Sequence, residues 1–148
     1  MEKQDDNFIK LFLRLAIAAG FLSAVADRFG MWDAEISVWG NWTNFVAYTE
    51  LLNPWFPTSF IPAIAVIATA AEILFAVCLI VGFKTELSAK LSGILLLIFA
   101  LSMSFSTGIK GAFDYSVFAA SAAAFALSAL KGKSWELDGV LASKSSAS

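Results

Sequence analysis

Residues 59–82, SFIPAIAVIATAAEILFAVCLIVG, decide how the chain is read. They are apolar almost throughout and carry one charge, Glu72, near the middle. At ~1.5 Å per residue a helix of this length runs ~36 Å, enough to cross a ~30 Å hydrocarbon core with some tilt. A carboxylate at that depth is costly unless paired or protonated, which makes Glu72 a functional candidate at once.

Composition agrees with a membrane setting. Of 148 residues, 59% are hydrophobic and 15% charged, and the mean hydropathy is +0.75. Soluble domains run at about 45–50% apolar and about 25% charged. A formal net charge of −2 leaves no basic surface for nucleic acid. With no histidine, histidine-ligated haem, the usual zinc sites and His-based triads are excluded, so neither haem nor metal is expected. Cys78 is the only cysteine, so no disulfide or CxxC pair forms within the chain, and it is expected to be a small buried apolar residue.

Four segments qualify as spans: residues 8–26, interrupted by Lys10 and Arg14; 59–82; 87–106, with Lys90 near its start; and the alanine-rich 115–130. No alternating pattern of β-barrel type occurs, and backbone groups must be satisfied within lipid, which leaves helices. Ala24-Val25-Ala26 has the look of a signal-peptide cleavage site, but Glu2, Asp5 and Asp6 make the leader acidic, so the segment is expected to be retained. The fold expected is all-α, a four-transmembrane-helix bundle. Lys3, Lys10, Arg14, Lys84, Lys90, Lys131, Lys133 and Lys144 fall on one side, against Arg28 and Lys110 on the other. That bias puts both termini in the cytoplasm.

The first outside loop, residues 27–58, holds Trp32, Trp39, Trp42 and Trp55. Within it residues 43–53 read as a short helix, capped by Asn41 or Thr43, stopped by Pro54, with Phe45, Tyr48, Leu51 and Leu52 on one face. It is either an interfacial helix in an aromatic belt or a lid over an outward-facing pocket. The polar tail, residues 133–148, is expected to be disordered.

Depth counting links the first two spans. Arg14 lies 12 residues inward from Ala26 and Glu72 lies 12 inward from Phe60, ~18 Å in each case. An Arg14–Glu72 ion pair would relieve both burial penalties, as a staple holding helix register or as part of ligand or proton handling. Ala65, Ala68, Thr69 and Ala76 share the Glu72 face, and Ala16, Gly20 and Ala24 form a second small-residue stripe suited to close helix contact. At the outer boundary Asp27, Arg28, Lys110, Asp114 and Tyr115 are either ordinary boundary charges or a polar mouth extended by Ser102, Ser106 and Thr107.

Several short motifs occur in order. They are the Trp-rich loop, Ala71-Glu72 in span two closing on Gly82-Phe83, Gly108-Ile109-Lys110, and Asp114-Tyr115-Ser116. Residues 24–30, AVADRFG, and 53–57, NPWFP, bracket the first loop. With these the chain resembles the DoxX family of small bacterial membrane proteins, over about residues 12–130. The resemblance implies a DoxX-like membrane domain over residues 1–132 in the bacterial cytoplasmic (inner) membrane. Some members are subunits of a thiosulfate:quinone oxidoreductase, and others are linked to quinone or thiol stress. The family supplies no agreed catalytic residues to place here. The function expected is a non-catalytic or quinone-interacting subunit of a redox complex, with a membrane redox partner protein. The alternatives are a structural or assembly protein with no redox role, or a small proton-coupled transporter using Glu72. Against the transporter, no broken helix or inverted repeat is evident.

Overall fold

A computed structural model describes residues 2–132 and 135–145. The elements are α1 Glu2–Arg28, α2 Trp42–Leu52, a 3-10 turn Thr58–Phe60, α3 Ile61–Val81, α4 Thr85–Ser106, α5 Ile109–Asp114, α6 Val117–Ala129 and α7 Leu137–Ser145. No strand occurs among the described residues. Three helical stretches, Asp6–Arg28, Thr58–Val81 and Thr85–Ser106, are long and apolar enough to cross a membrane.

The fourth expected span differs. α6 has only 13 residues, ~20 Å, because the chain turns between α5 and α6, where Ser116 takes a left-handed conformation with φ 55°. The segment read as one helix over 115–130 is therefore preceded by a break.

α1, α3, α4 and α6 pack in a ring, α1 on α3, α3 on α4, α4 on α6 and α6 back on α1. The buried positions are small: Ala65, Ala76, Ala89, Ala100 and Ala124 are fully inaccessible, while Ile67, Leu74, Ile98 and Phe105 point outward. Helices in an apolar solvent gain nothing by burying large side chains and associate through close backbone approach, which this inside-small, outside-large arrangement permits. The α4–α6 contact is the tightest example. Gly93 lies bare against the Phe125 ring, where an added Cβ would sit 3.1 Å from ring carbons. Ser121 donates to the Gly93 carbonyl at 2.8 Å.

At one end of the bundle, the loop end, α2 lies across the mouth. Asn41 caps it by accepting from the Asn44 amide at 2.9 Å, and the helix stops before Pro54. The face turned inward is Phe45, Thr49 and Leu52. Leu51, expected on that face, is exposed instead.

At the opposite end, the turn end, Gly82 closes α3 with φ 71°. The tail expected to lack structure behaves differently over its described part. Glu136 is buried, and the Asp138 carboxylate accepts from the Lys84 and Thr85 amides at 2.7 and 2.9 Å, satisfying the first donors of α4. Residues 133, 134 and 146–148 of that tail lie outside the described residues.

Two glycines predict opposite responses. A Cβ at Gly82 would meet Arg14 Nη2 and the Glu136 Cα, each at 2.7 Å, whereas one at Gly20 meets nothing within 4 Å. Gly82→Ala therefore costs ~2 kcal/mol or more through backbone conformation and clash together. Gly20→Ala is neutral or stabilising by up to about 1 kcal/mol. Chemical denaturation of both variants in detergent checks the contrast.

Candidate binding cavity

Glu72 does find an arginine, but it is Arg28. Arg28 Nη1 stands 2.5 Å from Glu72 Oε2, and Nη2 donates to Oε1 at 2.9 Å, with both side chains at most 3% exposed. Nη1 also donates to Thr69 Oγ1 at 2.7 Å. The same guanidinium lies over the Phe45 ring, 3.9 Å from its centroid, and 5.4 Å from that of Trp39. A delocalised cation is well suited to such a place, since its plane stacks on aromatic faces while its edge meets a carboxylate.

The roof is built from the preceding residue. Asp27 is buried and accepts from Ser37 Oγ, from the Val38 amide at 2.8 Å and from the Trp39 and Gly40 amides at 3.2 Å each. One carboxylate at the end of α1 thus folds residues 37–40 back over the bundle. Gly30 must be glycine for this, because at φ 67° an added Cβ would come within 2.9 Å of the Gly40 carbonyl oxygen. Trp39 then packs edge-on against Phe45 and tilted against Tyr48.

Beneath that roof is a cavity of about 500 Å³, walled by α1, α3, α4 and α6. Its walls are mainly apolar, Ile17, Phe21, Ile64, Leu96 and Phe99 among them. Of its polar groups, Arg28, Tyr48, Asn53 and Ser102 come from the loop end of the bundle, and Glu72 from midway along α3. Such a volume, apolar with a few convergent polar groups, is typical of small-molecule sites. Burial, with Tyr115 nearby, pushes the Tyr48 phenol above its ordinary value, so it remains a protonated hydroxyl at neutral pH. On the residues that border the cavity, two buried donors, Arg28 Nε and Trp39 Nε1, have no hydrogen-bond partner among the described residues. A buried donor left unsatisfied costs ~1–3 kcal/mol.

Arg14 belongs elsewhere. Its Nε and Nη2 donate to the Leu79 and Ile80 carbonyls at 2.8 and 2.9 Å, and Nη1 donates to Trp135 O at 2.9 Å, 3.8 Å from Glu136 Oε1. Lys10 joins this cluster, 2.9 Å from Glu136 Oε1 and bonded to the Gly132 carbonyl. The expected Arg14–Glu72 pair is thereby replaced by two clusters at opposite ends of the bundle. Counting inward from assumed boundaries failed because each arginine side chain reaches along its helix. Arg14 reaches the unpaired carbonyls at the end of α3, while Arg28 turns inward to Glu72. The acid that Arg14 uses, Glu136, was hidden in a tail with no periodic signal.

The expected outer mouth is also divided. Arg28 and Tyr115 line the cavity, and Asp27 shapes its roof. Lys110 and Asp114 form a pair at 2.5 Å on the exposed face of α5, one helical turn apart and well solvated. Of the expected extension, Ser102 borders the cavity, whereas Ser106 and Thr107 donate back to carbonyls four residues earlier. Cys78 is half-buried rather than buried. Thr69 and Phe45 complete the arginine site. Thr69 was visible one turn before Glu72, but nothing in the sequence aimed Phe45 at a cation. Compared with known protein families, with curated proteins and with solved structures, the chain finds no match.

The partner exchange is testable by double-mutant cycles. Removing one member of a buried pair costs ~3–5 kcal/mol, so Arg28→Gln and Glu72→Gln should each destabilise strongly and couple by ~2 kcal/mol or more. Arg14→Gln and Glu72→Gln should be additive within about 0.5 kcal/mol. Denaturation of single and double variants in detergent measures both; strong coupling in the second cycle would contradict the geometry.

Proposed function

We propose that this chain is a four-pass protein of the bacterial inner membrane, of DoxX type, that holds a quinone in its intramembrane cavity. In this reading it serves as a non-catalytic subunit of a membrane redox assembly. The observation that carries the reading is the cavity itself, about 500 Å³ of mainly apolar space with hydrogen-bonding groups at one end. A quinone matches that distribution: a flat ring with two carbonyl acceptors on an apolar chain. Binding would come from burial of ring and chain, and orientation from the few polar groups. Electron transfer itself would belong to a partner protein. The ordered motifs AVADRFG, NPWFP and Gly108-Ile109-Lys110 support the family reading.

The fourth crossing in this proposal is made by α5 and α6 together, six and 13 residues, ~9 and ~20 Å of helix. The excess of Lys and Arg at the turn end supports cytoplasmic termini, with α2 and the four tryptophans of the first loop at the outer interface. The break between α5 and α6 removes one argument against a transporter. It lies beside the cavity mouth rather than at mid-depth, where half-helix ends bind ions in known transporter designs.

The test is direct. Purified protein in nanodiscs should bind a decyl-substituted benzoquinone saturably, one per chain. Ala68→Phe, which fills the cavity from α3, should abolish the binding while leaving the fold intact. Absence of saturable binding, or binding indifferent to the filled cavity, would overturn the reading. Orientation has its own check. In a Cys78→Ala background, a cysteine at the exposed position of Glu50 should label from outside intact cells with an impermeant maleimide, and one at Lys84 should not.

A further inference from the structure

The cavity is open on the side between α1 and α6, where Ala16 and Gly20 line it and are exposed. α1 and α6 share the least contact of the four neighbouring pairs. Ile17, Ala18 and Phe21 of α1 and Ala124 and Leu127 of α6 belong to one buried cluster, shared with Ala76 and Leu79 of α3 and Ala89 of α4. Beside that cluster the cavity is bordered by small side chains on both helices, Ala16, Gly20 and Ala24 on α1 and Ala120 and Ala123 on α6. The α1 stripe is the one that its spacing suggested for close helix packing. Over Ala16 and Gly20 it is unpacked. Ala16 and Gly20 are exposed, and no heavy atom lies within 4 Å of where a Gly20 Cβ would be. A stripe of small residues on a closed interface brings backbones together; here it leaves a gap beside an apolar chamber.

The second observation is chemical. At the loop end of the chamber Arg28, 2% exposed, keeps Nε without a partner, and Trp39 Nε1 beside it is equally unsatisfied. The Arg28 guanidinium lies 5.4 Å from the Trp39 ring centroid, so the two donors belong to one neighbourhood. Both residues border the cavity. Buried donors without acceptors are rare in folded proteins, and a site that leaves two of them beside a chamber is complementary to an acceptor that arrives with the ligand. Glu72 Oε2 also lacks a hydrogen bond but stands 2.5 Å from Arg28 Nη1 in the ion pair, whereas Arg28 Nε and Trp39 Nε1 have no acceptor beside them.

We infer that the ligand enters sideways from the bilayer through the α1–α6 seam and docks with a hydrogen-bond-acceptor head at Arg28 Nε and Trp39 Nε1, its apolar chain trailing between α1 and α6. The ligand class is a lipid-soluble molecule with a carbonyl or carboxylate head and a single chain. This rests on the quinone-binding reading for its occupant, but it adds a route, a direction and the two groups that select the head. The chain never leaves the apolar phase on the way in, so entry needs no opening of the α2 roof, and the roof can stay fixed by Asp27. Selection then works by penalty: a molecule with no acceptor leaves both donors unpaired, whereas one with an acceptor satisfies them.

The experiment uses the full chain in nanodiscs and two probes, a decyl-benzoquinone carrying an azide on its ring and palmitate carrying a diazirine next to its carboxyl group. In the wild type, photolysis should label the peptide spanning residues 28–45 with whichever probe binds. Gly20→Trp should slow association at least tenfold. Trp39→Phe, which keeps the ring and loses the N–H, should weaken binding about threefold to tenfold. Labelling by the quinone alone identifies a carbonyl head, and labelling by palmitate a carboxylate head. Labelling of residues 13–17 instead, or an association rate untouched by Gly20→Trp together with affinity untouched by Trp39→Phe, overturns the inference while quinone binding stands. No saturable binding of either probe removes both readings. Should Gly20→Trp not fold, the labelled peptide and Trp39→Phe decide the matter alone.

Discussion

A charge taken into an apolar slab must bring or find its opposite there, and the Arg28–Glu72 contact is where this chain meets that demand. Glu72 sits on a helix that otherwise carries no charge, and the attraction that holds it is strong because little water screens it. The consequences spread along the chain. Arg28 must lie at the end of α1 and point inward, which fixes the rotation of α1 against α3. Thr69, one turn from Glu72, takes a further guanidinium proton. The guanidinium face is then covered by Phe45, so α2 must lie over it. Asp27, the neighbour of Arg28, ties down residues 37–40 with four hydrogen bonds and delivers Trp39. An ion pair, a roof and a cavity ceiling are one construction.

The turn end repeats the logic with different parts. Lys10 and Arg14 enter on α1, the same helix, and their demand is met partly by the unpaired carbonyls closing α3 and partly by Glu136. Helix C-termini present partial negative charge, so a guanidinium there is stabilised even before a carboxylate arrives. Gly82 is the space that lets this happen, since a side chain would occupy the positions of Arg14 Nη2 and Glu136. The segment after residue 134 is therefore part of the fold's electrostatics, and Asp138 caps α4 from the same short stretch.

Much of the fold was legible because it follows from local rules. The apolar run around Glu72, the Asn41 cap, the Pro54 stop and the Gly82 terminus are each set by residues adjacent in sequence, and each came out as read or within a residue or two. What was not legible is what depends on reach and on long-range partners. Arginine side chains extend several ångströms along a helix, so equal depth of Cα atoms did not identify the partner of Glu72. The pairing of Arg14 with Glu136 spans more than a hundred residues and leaves no periodic trace. The break at Ser116 needed a non-glycine residue to adopt φ 55°, and neither serine nor its neighbours announced it. Polar boundary residues that looked alike, Asp27 and Asp114, proved to be a buried organiser and a solvated surface charge.

The small-residue stripe of α1 carries the most general lesson. Alanine and glycine at intervals of four state only that the helix can be approached closely; they do not say by what. On α4 and α6 the same chemistry, Gly93 against Phe125 and Ser121 on the Gly93 carbonyl, closes a helix contact. On α1 it stays open beside the chamber. α6 begins at a bend at the loop end, where Val117 and Phe118 pack against the cluster of Leu52, Ala100, Met103 and Ala112, and Asp27, Trp39 and α2 occupy the ceiling. With the ceiling tied down, the gap between α1 and α6 is the way into the cavity that asks least rearrangement of this fold.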